Sequence, residues 1–565
     1  MTYSKERAPY SWLTQRSRDF LSNGYLQEGL RPEERILDIA MTAESILKID
    51  GFAKKFEDYM SRGYYSLSSP VWANFGLERG LPISCFGSYI EDNTASILFT
   101  GAEVGIMSKV GGGTSGYFGE LRGRGEAIKN NGESNGSFPF ARIFDNTVDI
   151  ISQGSTRRGR FSPYIDIEHP DIMEWLEIGL EGNPIQELTH GVCVGDEWLQ
   201  AMKDGDRAKR KVWAKVIQCR SEIGYPYIFF KDTVNNNASE VYKEKNATIY
   251  ASNLCTEITL PSNKDESFVC CLSSMNLLHY EEWKSTEAVE ILTYFLDAVM
   301  SDFISKLERM KDEDDDGELK FLFMKRAYTF AKRHRALGVG VLGWHSLLQS
   351  KHIAFDSMEA MMLNAEIFNK LERRTKQASK GLALTLGEPE MCEGSGYRNT
   401  TTMAIAPTKS SSFILGQVSM GIEPILSNYF VNDLAKVKDT FRNPYLENLL
   451  KLKDSNTPEI WSSILVNDGS VQHLDCLTEH EKNVFKTFAE ISQLSVIQQA
   501  AQRQQFIDQS QSLNLMIHPN TPTKDINSLY LKAWEMGVKS LYYQHSVNAS
   551  QELNRDLLSC SSCEG

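Results

Sequence analysis

The chain has 565 residues, 41% of them hydrophobic and 24% charged, with a formal net charge of −14. This balance marks a soluble globular protein with a large core and excludes a disordered or collagen-like chain; with no global basic field to hold a nucleic-acid backbone, nucleic acid is not an expected partner. There is no apolar run of about 18 residues and no apolar core in the N-terminal stretch MTYSKERAPYSW, so the expected location is cytoplasmic, without a membrane partner.

A chain this long exceeds the size at which one simple core stops growing, so the expectation is two or three domains or one large α/β barrel with insertions. Residues 1–60 read as a helical segment, with Ile36, Ile39, Ala40 and Ile46 close to a helical period. Similar patterns predict helices over 95–108, 138–153, 287–310, 357–386 and 480–510. Between them, β-type runs fall at 192–194, 225–230, 248–260, 268–272, 400–405 and 540–543. Strands separated by long helices indicate an α/β architecture. The acidic run Asp312 to Asp316, closed by Gly317, predicts a solvated loop between two helices. Beyond His545 the apolar pattern stops, and 546–565 reads as a flexible tail ending in Cys560-Ser-Ser-Cys563-Glu-Gly565.

The run Asn253-Leu254-Cys255-Thr256-Glu257 carries the most chemistry. In an extended strand every second side chain shares a face, which would set an amide, a thiol and a carboxylate in one row. An edge strand with a wet polar face fits the same pattern. The ten cysteines lie in a reducing compartment, where those that matter are catalytic or metal-binding. Cys560-x-x-Cys563 lacks a second Cys or His pair with zinc spacing, which favours a swinging dithiol over a metal site. A tail of this length has a root-mean-square reach of about 25 Å and an extended limit of about 70 Å. Cys270 and Cys271 lie in a β-type run and so face opposite sides; only one of them can join a site with Cys85 or Cys255.

Two glycine runs, Gly111 to Gly116 and Gly338 to Gly343, match a dinucleotide fingerprint but follow helical patterns, the wrong context for it. Pro407-Thr408-Lys409-Ser410-Ser411-Ser412 follows a β-type run and offers hydroxyls and backbone N–H groups at a helix start, a setting suited to phosphate; taken alone, a plain polar loop is the simpler reading. By themselves Tyr542 and Tyr543 read as core and rim aromatics.

In this order the motifs resemble the large catalytic subunit of class I ribonucleotide reductase over nearly the whole chain. The resemblance rests on Ser68-Ser69-Pro70, Ser84-Cys85, Gly111, Ser152-Gln153-Gly154, Asn253 to Glu257, Cys270 to Ser273, Leu337 to Gly340, Pro407 to Ser412, Tyr542-Tyr543-Gln544 and the tail dithiol. It implies a ten-stranded α/β barrel over 61–545, preceded by the helical segment 1–60, with a central finger loop carrying a radical cysteine, by match Cys255. The family reduces ribonucleoside diphosphates to 2′-deoxyribonucleoside diphosphates. The resemblance implies that Cys255 as thiyl takes the 3′ hydrogen, Glu257 accepts the 3′-hydroxyl proton and Asn253 holds the sugar hydroxyls. Cys85 and Cys270 would supply the proton and two electrons, leaving Cys271 a bystander. Cys560 and Cys563 would reduce the resulting disulfide and be recharged by thioredoxin or glutaredoxin. Tyr542, nearer Cys255, and Tyr543, nearer the partner, would relay the radical from a dimetal small subunit, so that this chain binds no metal or cofactor itself.

Substrate diphosphate is expected at Pro407, Thr408, Lys409, Ser410 and Ser411, with Ser69, Ser84, Gly111 and Asn253 also lining the site; Lys409 departs from the family pattern. A deoxynucleotide or ATP effector would be read at a specificity site by Asp92, Arg122 and Ile128. Gln153 and Arg157 would couple it to the substrate, with Arg158 the alternative arginine. A homodimer is expected. Only 84 residues precede Cys85, and the N-terminal ATP-cone domain common in the family is expected to be absent. The Tyr pair argues against cobalamin as radical source and the tail cysteines against the formate-driven class. Alternatives kept open are a cobalamin-dependent reductase of the same fold and a non-catalytic nucleotide-binding paralogue.

Overall fold

In the computed structural model residues 8–153, 158–312, 315–434 and 437–546 are described; Arg157, Cys560, Cys563 and nearly all of the expected tail lie outside them. The helical N-terminal segment contains Gln15–Ser22, Pro32–Leu47 and Phe52–Ser61. Pro32 opens the second of these with a preset φ, and Glu33 and Glu34 face the positive end of its dipole. Its apolar stripe, Ile36, Ile39, Ala40, Ala43 and Leu47, is buried and joins the main core. The stacked pair Phe56 and Phe295, 4.5 Å between ring centroids, ties this segment to the long helix Ala288–Met310.

One sheet organises the rest. Its strands are β1 (Tyr65–Leu67), β2 (Cys85–Tyr89), β3 (Gly113–Tyr117), β4 (Arg160–Asp166), β5 (Gly191–Val194), β6 (Tyr227–Phe230), β7 (Phe268–Asn276), β8 (Leu337–Leu342) and β9 (Ser540–Leu541). From β2 to β6 neighbouring strands run parallel. β7 pairs antiparallel with β2 and parallel with β8, while β9 pairs antiparallel with β6. The long helices over 94–109, 288–310 and 358–386 cover the outside. Strands covered on both faces need continuous apolar runs, and Val192 to Val194 and Tyr227 to Phe230 are accordingly buried throughout.

Nine regular strands belong to this sheet among the described residues, one fewer than expected. Irregular extended segments carry the ring onward from β8. Val339 N donates to Thr402 O at 2.7 Å, Ile405 N to Ser510 O at 3.1 Å, and Tyr542 N to Leu513 O at 2.9 Å. The sheet therefore curls from β8 through 401–405 and 509–515 back to β9 and β6. The predicted strand at 400–405 is thus present only as isolated bridges at Met403 and Ile405. The predicted helix at 480–510 is broken into Glu479–Val484 and Gln493–Gln504, and Gln509 to Ser512 is buried extended chain instead. A second, smaller core, with Leu446, Leu450, Trp461, Ile464, Val484 and Phe485, forms around the helices Pro444–Leu452 and Pro458–Val466.

Candidate active site

Residues 248–260 do not form the predicted strand. Leu254 and Cys255 lie in a turn, and Thr256 has φ +68°. A β-branched residue in that region is strained and persists only where its surroundings hold it. Here Ser540 Oγ donates to Thr256 O at 3.0 Å, and Tyr164 OH to Asn253 O at 2.7 Å. Ser510 N donates to Glu257 O at 2.9 Å, and Ile258 N to Asn253 Oδ1 at 3.1 Å. Strand alternation is therefore not what gathers these side chains; a loop tip pinned by the inner polar face of the barrel does so.

Cys255 and Glu257 both line a cleft with Ser68, Pro82, Ile83, Ser84, Cys85, Cys270, Leu272, Ala406 and Pro407. Asn253 is not part of that wall; its amide spans the loop and hydrogen-bonds toward Glu257. Glu257 is 1% exposed, and burial pushes its carboxyl up to about 7 against hydrogen bonds from its own backbone, Asn253 and Ser512. It can therefore hold or release a proton near neutrality.

Facing the loop tip, Cys85 and Cys270 are Cα partners in the antiparallel register of β2 and β7. Side chains directly opposite have Cβ atoms about 4.5–5.5 Å apart, within about an ångström of disulfide geometry. Both are thiols in this structure; Cys85 is partly exposed and Cys270 buried. Burial pushes the Cys270 thiol well above its ordinary value, with Gln509 opposing. Cys271 turns to the other side of β7, toward Asp297 and Arg335, as the alternation of a strand requires.

Gln509 was invisible in the sequence, where it sits inside a stretch with a helical pattern. In the structure it is fully buried; the two hydrogens of its Nε2 are shared among Cys270 Sγ at 3.3 Å, Leu337 O at 3.0 Å and Thr401 Oγ1 at 3.1 Å, and its Oε1 accepts from Thr259 N at 3.2 Å. The available signal was the polar run Asp508-Gln509-Ser510-Gln511-Ser512, too uniformly polar for the buried face of a helix.

At one end of the cleft two short helices begin. Ser69–Asn74 starts after Ser68, and Lys409–Ile414 starts after Thr408, which is left-handed at φ +56° and accepts from Gly421 N at 2.8 Å. Of the expected phosphate-site residues, Ser84 and Pro407 reach the cleft wall. Ser69, Thr408, Ser410 and Ser411 are buried beside it in sequence, and Lys409 is exposed. Gly111, at φ +95°, leads into β3, whose Gly113 N donates to Ser84 O at 2.7 Å.

Tyr542 and Tyr543 lie 4.4 Å apart between ring centroids, Tyr542 buried and Tyr543 partly exposed. Tyr227 packs on both, at 4.8 and 5.1 Å. On another face, a cavity of about 430 Å³ is lined by Asp92, Glu120, Arg122, Glu126, Asp166, Glu168, His169 and Lys231, among others. Arg122 Nε is 2.7 Å from Asp92 Oδ2, and Ile128 sits in the adjacent hairpin opposite Gly132. Gln153 lies against Gly80, near enough that a Cβ there would meet its Nε2 at 2.6 Å, which sets it beside the segment leading to Cys85.

Fold and site together define a barrel enzyme in which an internal loop delivers a cysteine and a carboxylate to a cross-strand dithiol. The family model described as "Ribonucleotide reductase, barrel domain" matches residues 83–210, 207–395 and 388–544. The chain belongs to the ribonucleotide reductase family. A solved structure titled as the class Id ribonucleotide reductase alpha subunit of Actinobacillus ureae is similar, with 59% identity, a TM-score of 0.90, and coverage of 98% of this chain and 100% of that one. The ribonucleoside-diphosphate reductase large subunit of Invertebrate iridescent virus 3 is 32% identical across 93% of this chain and 92% of its own length. The large chain from Schizosaccharomyces pombe is 28% identical, covering 92% and 71% respectively.

Proposed function

We propose that this chain is the catalytic α subunit of a class I ribonucleoside-diphosphate reductase. The observation that carries the reading is the direct pairing of Cys85 with Cys270 across two strands, on the wall shared by Cys255 and Glu257. A dithiol poised to close supplies two electrons; a third sulfur opposite it is then left for a different task.

In this reading Cys255, as a thiyl radical, takes the 3′ hydrogen of the ribose, and Glu257 accepts the 3′-hydroxyl proton. The 2′-hydroxyl leaves as water with a proton from the dithiol, whose two electrons reduce the sugar as a Cys85–Cys270 disulfide forms. Cys255 then returns the 3′ hydrogen and regains its radical. Ribonucleotide plus dithiol thus gives deoxyribonucleotide, disulfide and water. Asn253, whose amide also hydrogen-bonds toward Glu257, holds the sugar hydroxyls. Substrate diphosphate fits the end where Ser84, Pro407 and the two helix starts meet.

The radical is supplied by a separate dimetal small subunit through Tyr543 and Tyr542, a reading supported by the class of the 59%-identical relative and by the contact between the two rings. Asp92 and Arg122 bind a deoxynucleotide or ATP effector in the second cavity, with Ile128 beside it and Gln153 and Arg157 as the coupling loop. The tail dithiol Cys560 and Cys563 reduces the spent pair and is recharged by thioredoxin or glutaredoxin, and the α subunits form a homodimer.

The test is reduction of CDP by purified protein with a reconstituted small subunit and dithiothreitol, with adenosylcobalamin as the alternative radical source. Activity that requires the small subunit and vanishes in Cys255→Ser is the expected result. Deoxynucleotide formation by Cys255→Ser, or activity with cobalamin alone, would overturn the assignment.

A further inference from the structure

The two sulfurs of the cross-strand pair are not equivalent. Cys85 begins β2 and is partly exposed, whereas Cys270, the third residue of β7, is 1% exposed. The Gln509 amide donates to Cys270 Sγ at 3.3 Å. Three further contacts fix that amide, Leu337 O, Thr401 Oγ1 and Thr259 N, and the buried Lys539 Nζ donates to the Gln509 backbone carbonyl at 2.9 Å.

We infer that the disulfide is opened in one direction: an incoming thiolate attacks Cys85, and Cys270 departs as the thiolate that Gln509 receives. The inference rests on the reading of Cys85 and Cys270 as the reductant pair. The attacking sulfur forms a new S–S bond to Cys85 as the Cys85–Cys270 bond breaks, and the electron pair of that bond stays on Cys270, which then takes a proton. The second thiol of the attacking dithiol displaces Cys85, so one dithiol is oxidised and one disulfide reduced. Exchange is faster when the leaving sulfur is the better-stabilised thiolate and the attacked sulfur is the reachable one. The groups facing Cys270 otherwise oppose a charge there: Cys85 from β2, Cys271 from its own strand, Glu257 from the loop tip and the Tyr242 phenol. Access therefore sets the direction, since only Cys85 is partly exposed, and the Gln509 amide at Cys270 Sγ offsets part of the cost of placing the departing charge there.

The experiment uses the full-length protein with Cys560→Ser and Cys563→Ser, so that no tail thiol intervenes, complexed with its small subunit. A single turnover on CDP is followed by glutathione, alkylation and peptide mass mapping. The expected result is a glutathione adduct on Cys85 with alkylated Cys270, in at least tenfold excess over the reverse. A pair that never becomes disulfide-bonded on turnover overturns the underlying reading. A disulfide that forms but gives equal adducts, or adducts mainly on Cys270, overturns the directional inference alone. Gln509→Met and Gln509→Leu remove the donor at similar size. Both should slow glutathione exchange about tenfold more than they slow the single-turnover burst, the loss expected for one hydrogen bond to a charged acceptor. A burst that falls in step with exchange in both variants makes Gln509 merely structural and overturns its role.

Discussion

Ser512 Oγ lies 2.5 Å from Cys255 O and 3.2 Å from Glu257 Oε2, so one hydroxyl braces both the backbone of the loop tip and its carboxylate. With Ser510 N on Glu257 O and Ser540 Oγ on Thr256 O, the tip is held by side chains and backbone from the irregular closing segments of the barrel. The strained Thr256 is the local cost of turning Cys255 and Glu257 toward the same cleft.

This environment predicts a pH profile. The carboxyl of Glu257 is raised to about 7 by burial, so it is protonated, and useless as a base, below that pH and ionised above it. Log kcat/KM for CDP should rise with unit slope through the acid range and level off near pH 7, about tenfold per pH unit. Glu257→Gln should lose about 10²–10⁴-fold in kcat, the usual worth of a positioned base. A flat profile between pH 5.5 and 8 would argue that Glu257 takes no proton.

For the tyrosines the prediction separates transfer from binding. Tyr542→Phe and Tyr543→Phe keep the rings, whose centroids lie 4.4 Å apart, and remove only the phenolic O–H. Turnover should fall to background in each, while CDP affinity and melting temperature stay at wild-type values. Either variant retaining more than a tenth of wild-type kcat would remove that ring from the relay.

The sequence made the periodic elements legible: the helices over 94–109, 288–310 and 358–386 and strands β5, β6 and β7 fall where the patterns indicate. It was less reliable where tertiary contacts override local pattern. Asn253 to Glu257 carries strand-like alternation, yet hydrogen bonds from 510–512 and Ser540 hold it as a turn. Gln509 was missed because its partners, Cys270, Leu337, Thr401 and Thr259, are 108 or more residues away in sequence. The choice of Cys270 over Cys271 rested on motif position; in the structure Cys270 is the residue in register with Cys85.

Gly338 tests how tightly the dithiol wall is built. A Cβ there would overlap Leu272 Cδ2 and lie 3.0 Å from Ala404 Cβ and 3.4 Å from Cys270 Sγ. The Leu272 side chain must shift within a packed wall, so Gly338→Ala should destabilise the protein by about 1–3 kcal/mol in urea unfolding. It should also slow alkylation of Cys270 relative to Cys85. Unchanged stability would mean that the Leu272 side chain rotates aside to make room for the methyl group.

The second cavity offers a prediction in which stability and function part. Arg122 and Asp92 are each about one-third exposed, at 32% and 34%, and an ion pair this open is worth about 0–1 kcal/mol. Arg122→Ala should therefore shift the unfolding free energy by no more than that. The wall carries Asp92, Glu120, Glu126, Asp166 and Glu168 against Arg122 and Lys231, so a polyphosphate depends on those two cations. The effector concentration for half-maximal stimulation should rise about tenfold or more, the worth of one charged hydrogen bond. Unstimulated CDP reduction should be unchanged. If effector response survives Arg122→Ala intact while Lys231→Ala abolishes it, the phosphate lies at the Lys231 end of the cavity and the role given to Arg122 is wrong.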